Sequence, residues 1–268
     1  METANKELLA KVPAVTLGFW VVKILATTFG ETMGDTVSMS WLGETTTTAG
    51  QAGYNGYVVG TAIFGALLAI LAFFQIRARQ FHPYLYWATI IASTTVGTTL
   101  ADFATRSLGI GYPGGALLLL SLVIASLLAW HRTLGTISVA SVHKRDAELF
   151  YWITITFSQT LGTALGDWVA DGPLGYMGAA GIFGGLLAMI GAGYFFTKAN
   201  RVILFWAAFI LTRPLGAVVG DFLDKPLAHG GLELSRVAAS IVIGTAIVML
   251  VYLIPQRAET VLEQEQQQ

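Results

Sequence analysis

Four tryptophans set the frame for this chain. Trp20, Trp87, Trp152 and Trp206 each have a glycine ten residues on (Gly30, Gly97, Gly162, Gly216). Each also has an aspartate fifteen residues on (Asp35, Asp102, Asp167, Asp221), preceded by a small residue (Gly34, Ala101, Gly166, Gly220). Four gap-free copies at a period of 54 to 67 residues define an internal repeat. A repeat restricts the fold to copies of one supersecondary unit stacked on each other.

On a helix, side chains four apart share a face. The positions seven, eleven and fifteen after each tryptophan therefore form one stripe. In the first copy it is Thr27, Glu31 and Asp35, extended backwards by Lys23; in the second it is Thr94, Thr98 and Asp102. The third gives Gln159, Thr163 and Asp167, and the fourth Arg213, Ala217 and Asp221. Everything else on these helices is apolar or small. Beside the stripe runs a small-xxx-small pair, such as Gly30 with Gly34, a spacing that lets helix backbones approach closely in membranes. The aspartates are therefore expected at a helix–helix seam rather than against lipid.

Composition decides the environment. Of 268 residues, 54% are hydrophobic and only 12% charged, about half the charge fraction of a soluble domain; the mean hydropathy is +0.65. The chain reads as an all-α polytopic membrane protein. A net charge of −1 argues against a nucleic-acid partner, and the absence of cysteine excludes disulfides and thiolate ligands. No bound cofactor is expected. Each repeat holds two apolar runs of about the 20 residues a bilayer requires. They predict eight spans near 14–37, 55–76, 84–104, 114–131, 149–169, 176–197, 202–222 and 235–254, the fourth being the shortest. The chain is one membrane domain, with repeats over 14–80, 81–145, 146–200 and 201–257. The polar tail from Gln256 is expected to be a frayed or solvated helix, and the Thr45–Thr48 run a connector.

Lys and Arg in short loops orient membrane helices. Ten of the fifteen basic residues (Lys6, Lys11, Arg77, Arg79, Arg132, Lys144, Arg145, Lys198, Arg201, Arg257) lie between repeats or at the termini. Only Arg106, Lys225 and Arg236 fall in the loops within repeats. Both termini are therefore expected in the cytoplasm, in an inner-membrane setting, with the four aspartates at one depth near the outer side and Glu31 about one turn deeper.

Charge inside a bilayer is costly, about 2.5–3.5 kcal/mol per residue at the centre on the insertion scale, and marks ion pairs or substrate paths. The simplest pairing is Lys23 with Glu31 and Arg213 with Asp221. The stronger expectation is that Lys23 and Arg213 reach carboxylates on other helices and hold the site until a cation displaces them. Five stripe carboxylates against two in-span cations leave an excess that protons or a hard cation would neutralise. Glu31, Asp35, Asp102, Asp167 and Asp221 are the candidate metal ligands, with Glu31 and Asp35 gripping one ion from one helix. Thr27, Thr98, Gln159 and Thr163 are supporting oxygens. Glu31, Lys23 and Arg213 are candidates for proton coupling or counter-charge. The copies are unequal, since only the first has Glu31 and only the fourth Arg213. That suits a transporter with one asymmetric site better than a symmetric pore.

With its four Trp…Gly…small-Asp copies, the chain over about 14–255 resembles a bacterial inner-membrane family of four tandem two-helix repeats, each with a signature tryptophan, catalogued as a repeat of unknown function. The resemblance implies a fold and no activity. Separately, Gly30-Glu31-Thr32-Met33-Gly34-Asp35-Thr36 is similar to the Glu-x-Gly-Asp-basic-Ser/Thr motif of manganese and calcium cation/proton exchangers. Here two residues separate Glu31 from Gly34, and Thr36 replaces the basic residue. The implied activity is proton-coupled export of a divalent metal ion, manganese first; transport of an organic cation or other small solute is the alternative. An enzyme is not expected: Leu165-Gly166-Asp167 and Val219-Gly220-Asp221 lack the Gly-x-Gly-Asp of intramembrane aspartyl proteases. The expected partners are the bilayer, a transported metal ion and a second copy of the chain.

Overall fold

The computed structural model describes residues 9–44, 54–142 and 144–260, which leaves the Thr45–Thr48 run outside the described residues. Among them are eight long helices: α1 (Leu17–Asp35), α2 (Gly56–Arg77), α3 (Pro83–Asp102), α4 (Gly111–Leu134), α5 (Arg145–Ala170), α6 (Gly175–Phe196), α7 (Arg201–Asp224) and α8 (Arg236–Leu253). Local chemistry explains their starts. Thr16, Asn55, Asn200 and Ser235 cap α1, α2, α7 and α8 by accepting backbone N–H groups of the first turn. Pro83 opens α3, where its missing N–H costs nothing.

Two expectations need correction. The fourth helix is not the shortest: Pro113 sits in its first turn, where proline is tolerated, and α4 runs 24 residues against 18 for α8. The described part of the tail is not helical. Ala258–Thr260 (β2) pairs antiparallel with Leu9–Pro13 (β1), because two extended segments meet there and satisfy each other's backbone.

The helices form two concentric rings. α1, α3, α5 and α7 pack in sequence, and α7 packs back on α1, closing the inner ring. Each outer helix lies chiefly on the inner helix of the following repeat: α2 on α3, α4 on α5, α6 on α7, and α8 on α1. A single hairpin therefore cannot bury its own polar stripe, and the unit of folding is the closed set of four. Helices α2, α4, α6, α7 and α8 are long and apolar enough to cross a membrane. The windows that qualify in α2 and α6 are only 17% and 11% buried, leaving their apolar faces for lipid, whereas α7 in the inner ring is 56% buried. Helices α1, α3 and α5 carry the polar stripe and are shielded by their neighbours. The protein is an all-α polytopic membrane protein.

The inner ring closes because small residues allow it. A methyl group on Gly30 would lie 2.4 Å from Thr94. On Gly97 it would lie 2.9 Å from the Gln159 backbone, on Gly162 2.2 Å from the Arg213 stem, and on Gly216 2.1 Å from Thr27. In each case the repeat glycine receives the residue seven beyond the next tryptophan, and the fourth receives from the first. Association between helices in lipid relies on such packing contacts, since apolar side chains gain little by leaving lipid for each other.

Candidate functional site

The inward faces of the inner helices build a column of five layers. Moving four residues at a time, α1 contributes Phe19, Lys23, Thr27, Glu31 and Asp35. The matching residues are Tyr86, Ile90, Thr94, Thr98 and Asp102 on α3, Tyr151, Ile155, Gln159, Thr163 and Asp167 on α5, and Phe205, Phe209, Arg213, Ala217 and Asp221 on α7. All twenty are buried. Sixteen residues at ~1.5 Å each give a column about 24 Å long.

The first layer is aromatic and sealed. Phe19 packs on Trp20 and Trp87, Tyr86 on Trp87 and Trp152, and Tyr151 on Trp152 and Trp206, with ring centroids 5.1–6.4 Å apart. The Tyr86 and Tyr151 hydroxyls are hydrogen-bonded at 2.7 Å. Outside them, Trp206 donates to the Ile137 carbonyl and Trp87 to Gln256. The β1–β2 strap lies over this end, and the Lys11 ammonium in it donates to the Ile76 carbonyl and pairs with Glu148.

In the second layer Lys23 stands among Ile90, Ile155 and Phe209. Its ammonium has no hydrogen-bond partner and lies 4.1 Å from the Phe209 ring centre. Lys23 therefore does not reach a carboxylate on another helix, contrary to expectation: the residues level with it on α3, α5 and α7 are apolar, and the Glu31 layer is two turns on, about 12 Å along the axis.

The middle of the column centres on Arg213. Its guanidinium donates to Glu31 at 2.9 Å, to the Thr98 hydroxyl at 2.6 Å, to the Thr163 hydroxyl, and to the Thr27 carbonyl at 3.2 Å. One side chain from α7 thus touches α1, α3 and α5, and no part of it is exposed. It does not pair with Asp221, which lies two turns away on its own helix. The supporting oxygens divide. Thr98 and Thr163 accept from Arg213, and the Thr27 hydroxyl donates to Ile24 and Thr212 carbonyls. The Gln159 amide and the Thr94 hydroxyl have no hydrogen-bond partner.

The aspartate layer is cross-linked by cations that the sequence placed in loops. Arg106 forms ion pairs with Asp102 and Asp167, each at 3.0 Å. Lys225 bridges Asp35 at 2.9 Å and Asp221 at 3.1 Å. Arg236 pairs with Asp224 at 2.9 Å. Burial lowers the pKa of Lys225, which sits just past α7, but the carboxylates of Asp221, Asp35 and Asp224 raise it more. The balance lies well above the ordinary lysine value, so Lys225 stays charged. The expected excess of five carboxylates over two cations is corrected accordingly: six buried carboxylates (Asp224 included) are paired with Arg213, Arg106, Lys225 and Arg236, while Lys23 stands apart from them. A signal for two of these was present, since Arg106 and Lys225 each follow a repeat aspartate by four residues. The apolar runs end near the aspartates, so hydropathy alone leaves these cations in loops. The chain in fact coils on through 103–107, with a wide turn in which Leu108 N–H bonds to the Phe103 carbonyl.

Carboxylate oxygens from Glu31, Asp167 and Asp221 lie within 4.8 Å of one another, as do those from Asp35, Asp221 and Asp224. The first group unites α1, α5 and α7. Asp221 belongs to both. The structure therefore groups Glu31 with Asp167 and Asp221 rather than with Asp35, and Asp102 with neither set. Periodicity within one helix cannot reveal this, because it is set by rotation and register between helices.

Comparison with known families adds one finding. A family model described as Repeat of Unknown Function (DUF347) matches residues 18–81, 85–136, 150–200 and 204–257. The chain belongs to this family. Each matched segment holds one inner and one outer helix, so the four repeats of the family are the four hairpins of the double ring. Neither a curated protein nor a solved structure matches the chain.

Proposed function

We propose that this protein is a transporter that moves a cation along the inner-ring column, a divalent metal first among cargoes, in exchange for protons. The observation that carries the reading is the convergence of Glu31, Asp167 and Asp221 from three inner helices at a buried point on the axis. Carboxylate and hydroxyl oxygens suit hard cations such as Mn, Mg or Ca, and protons compete with a metal for the same oxygens. Manganese comes first on the similarity of the Glu31–Thr36 segment to cation/proton exchangers. Arg213 is the built-in counter-ion: its guanidinium and an incoming cation both need the Glu31 carboxylate, so binding of one releases the other. The aromatic layer and strap close one end of the column, and the ion-paired aspartates close the other.

The test is metal flux in vesicles holding purified protein, with an imposed pH gradient. Manganese flux should exceed that of empty vesicles, and Asp167→Asn or Glu31→Gln should lower it at least tenfold without loss of fold. Equal fluxes of manganese, calcium, magnesium and iron with and without protein would sink the metal reading. An organic cation is the second reading, favoured by one contact. Lys23 places an alkylammonium on the Phe209 ring, so the layer next to the aromatic one already accepts such a group.

A further inference from the structure

Three of the four seams of the inner ring join helices that are consecutive along the chain, linked through an outer helix. The fourth, between α7 and α1, is closed only by contacts. It holds the Thr27 hydroxyl on the Thr212 carbonyl at 3.2 Å and the close approaches of Gly216 to Thr27 and Gly220 to Glu31. Beside it, outer helix α6 rests on α7 and α8 on α1.

A groove of about 650 Å³ lies there, within the size range of ligand sites. Its walls are apolar: Trp20 and Ile24 from α1, Leu204 and Ala208 from α7, Leu187 and Ile190 from α6. The deep end reaches Thr212. Trp20 is only half-buried here, whereas Trp87, Trp152 and Trp206 are 2%, 5% and 4% exposed. The fourfold pattern breaks at the tryptophan that the groove uncovers.

Charge sits at one end only. Arg201 and Arg257 border the groove at the tryptophan end, where α6 finishes. The Arg201 guanidinium stacks on the Tyr194 ring at 4.4 Å, which fixes it at the mouth. Among the described residues that line the groove, the acid is Glu259, which is buried and whose carboxylate accepts the Val15 N–H at 2.9 Å. Arginine favours phosphate through paired, charge-assisted hydrogen bonds. A slot with an apolar body and a basic mouth, opening onto a bilayer, matches a molecule with an acyl chain and an anionic head.

We propose that this groove binds one anionic phospholipid, with its phosphate at Arg201 and Arg257 and an acyl chain along Trp20 and Ile24. The lipid braces the seam between the first and last repeats, the only one without a chain connection. The inference does not depend on what the column transports.

The experiment uses the full chain, delipidated and placed in bilayer discs of phosphatidylcholine with phosphatidylglycerol added. Native mass spectrometry and thermal unfolding are the readouts. One phosphatidylglycerol should be retained with at least a fivefold preference over phosphatidylcholine, and the melting temperature should rise by several degrees. Arg201→Ala with Arg257→Ala should remove the preference. Leu187→Trp, which fills the slot, should abolish retention of the lipid with both arginines intact. Equal retention of the two lipids overturns the proposal, as does an unchanged preference in the double variant. A melting shift reproduced by inorganic phosphate alone overturns the lipid as occupant.

Discussion

The two ends of the column hold the same four helices together by opposite means. At the tryptophan end the contacts are aromatic rings, and the buried Trp87 and Trp206 N–H groups each find a neutral acceptor. At the aspartate end the contacts are ion pairs, with Arg106 joining α3 to α5 and Lys225 joining α1 to α7. Ring packing is short-ranged, and shrinking one partner costs the lost contact and the cavity it leaves. Buried ion pairs fail badly when one partner goes, because the other charge remains. The ends are fourfold, with a tryptophan, an aromatic neighbour and an aspartate in every repeat. The layers between them are not: Thr, Thr, Gln, Arg lies above Glu, Thr, Thr, Ala. The ends build the ring, and the unequal middle gives it a single polar site.

Loss of a cation at the aspartate end should have the largest effect. Arg106→Met leaves Asp102 and Asp167 without their shared partner and is expected to cost about 3–5 kcal/mol. Adding Asp102→Asn and Asp167→Asn should restore most of it, as read by thermal unfolding in detergent. If the triple variant is no more stable than the single one, that end is not held by charge.

The seams between the ends come next. Gly162→Leu must displace the Arg213 stem, and overpacking of this kind costs about 1–3 kcal/mol. Gly181→Leu, on an outer helix with open space around it, should lie within about 0.5 kcal/mol of wild type. Equal losses in both would show that close approach in the inner ring is not what the glycines provide.

Lys23 tests the sign of the comparison. Its ammonium is buried without a hydrogen-bond partner on the aromatic side of the column, so Lys23→Met should stabilise the fold by about 1–3 kcal/mol. A loss of stability instead would show that this side, too, depends on charge. Trp87→Phe should cost less than Arg106→Met, about 1–2 kcal/mol for the lost hydrogen bond to Gln256 and the small cavity left by the shorter ring. A loss as large as that of Arg106→Met would erase the distinction between the ends.

Much of this was legible in the chain. Four-residue periodicity placed Thr27, Glu31 and Asp35 on one face, the glycine spacing located the seams, and apolar runs located the helices. These are properties of a single helix, fixed by bond geometry and by exclusion of polar groups from lipid. What only the tertiary structure decided is which faces meet. Arg213 reaches Glu31 and not Asp221 because its own helix carries Asp221 two turns away, while ring closure brings α1 alongside. Arg106 turns inward because the coil continues past Asp102, Lys225 stands one turn after Asp221 at the end of α7, and Arg236 reaches in from the first turn of α8. The grouping of Glu31 with Asp167 and Asp221 follows from rotation and stagger between helices, which no periodicity within one helix encodes.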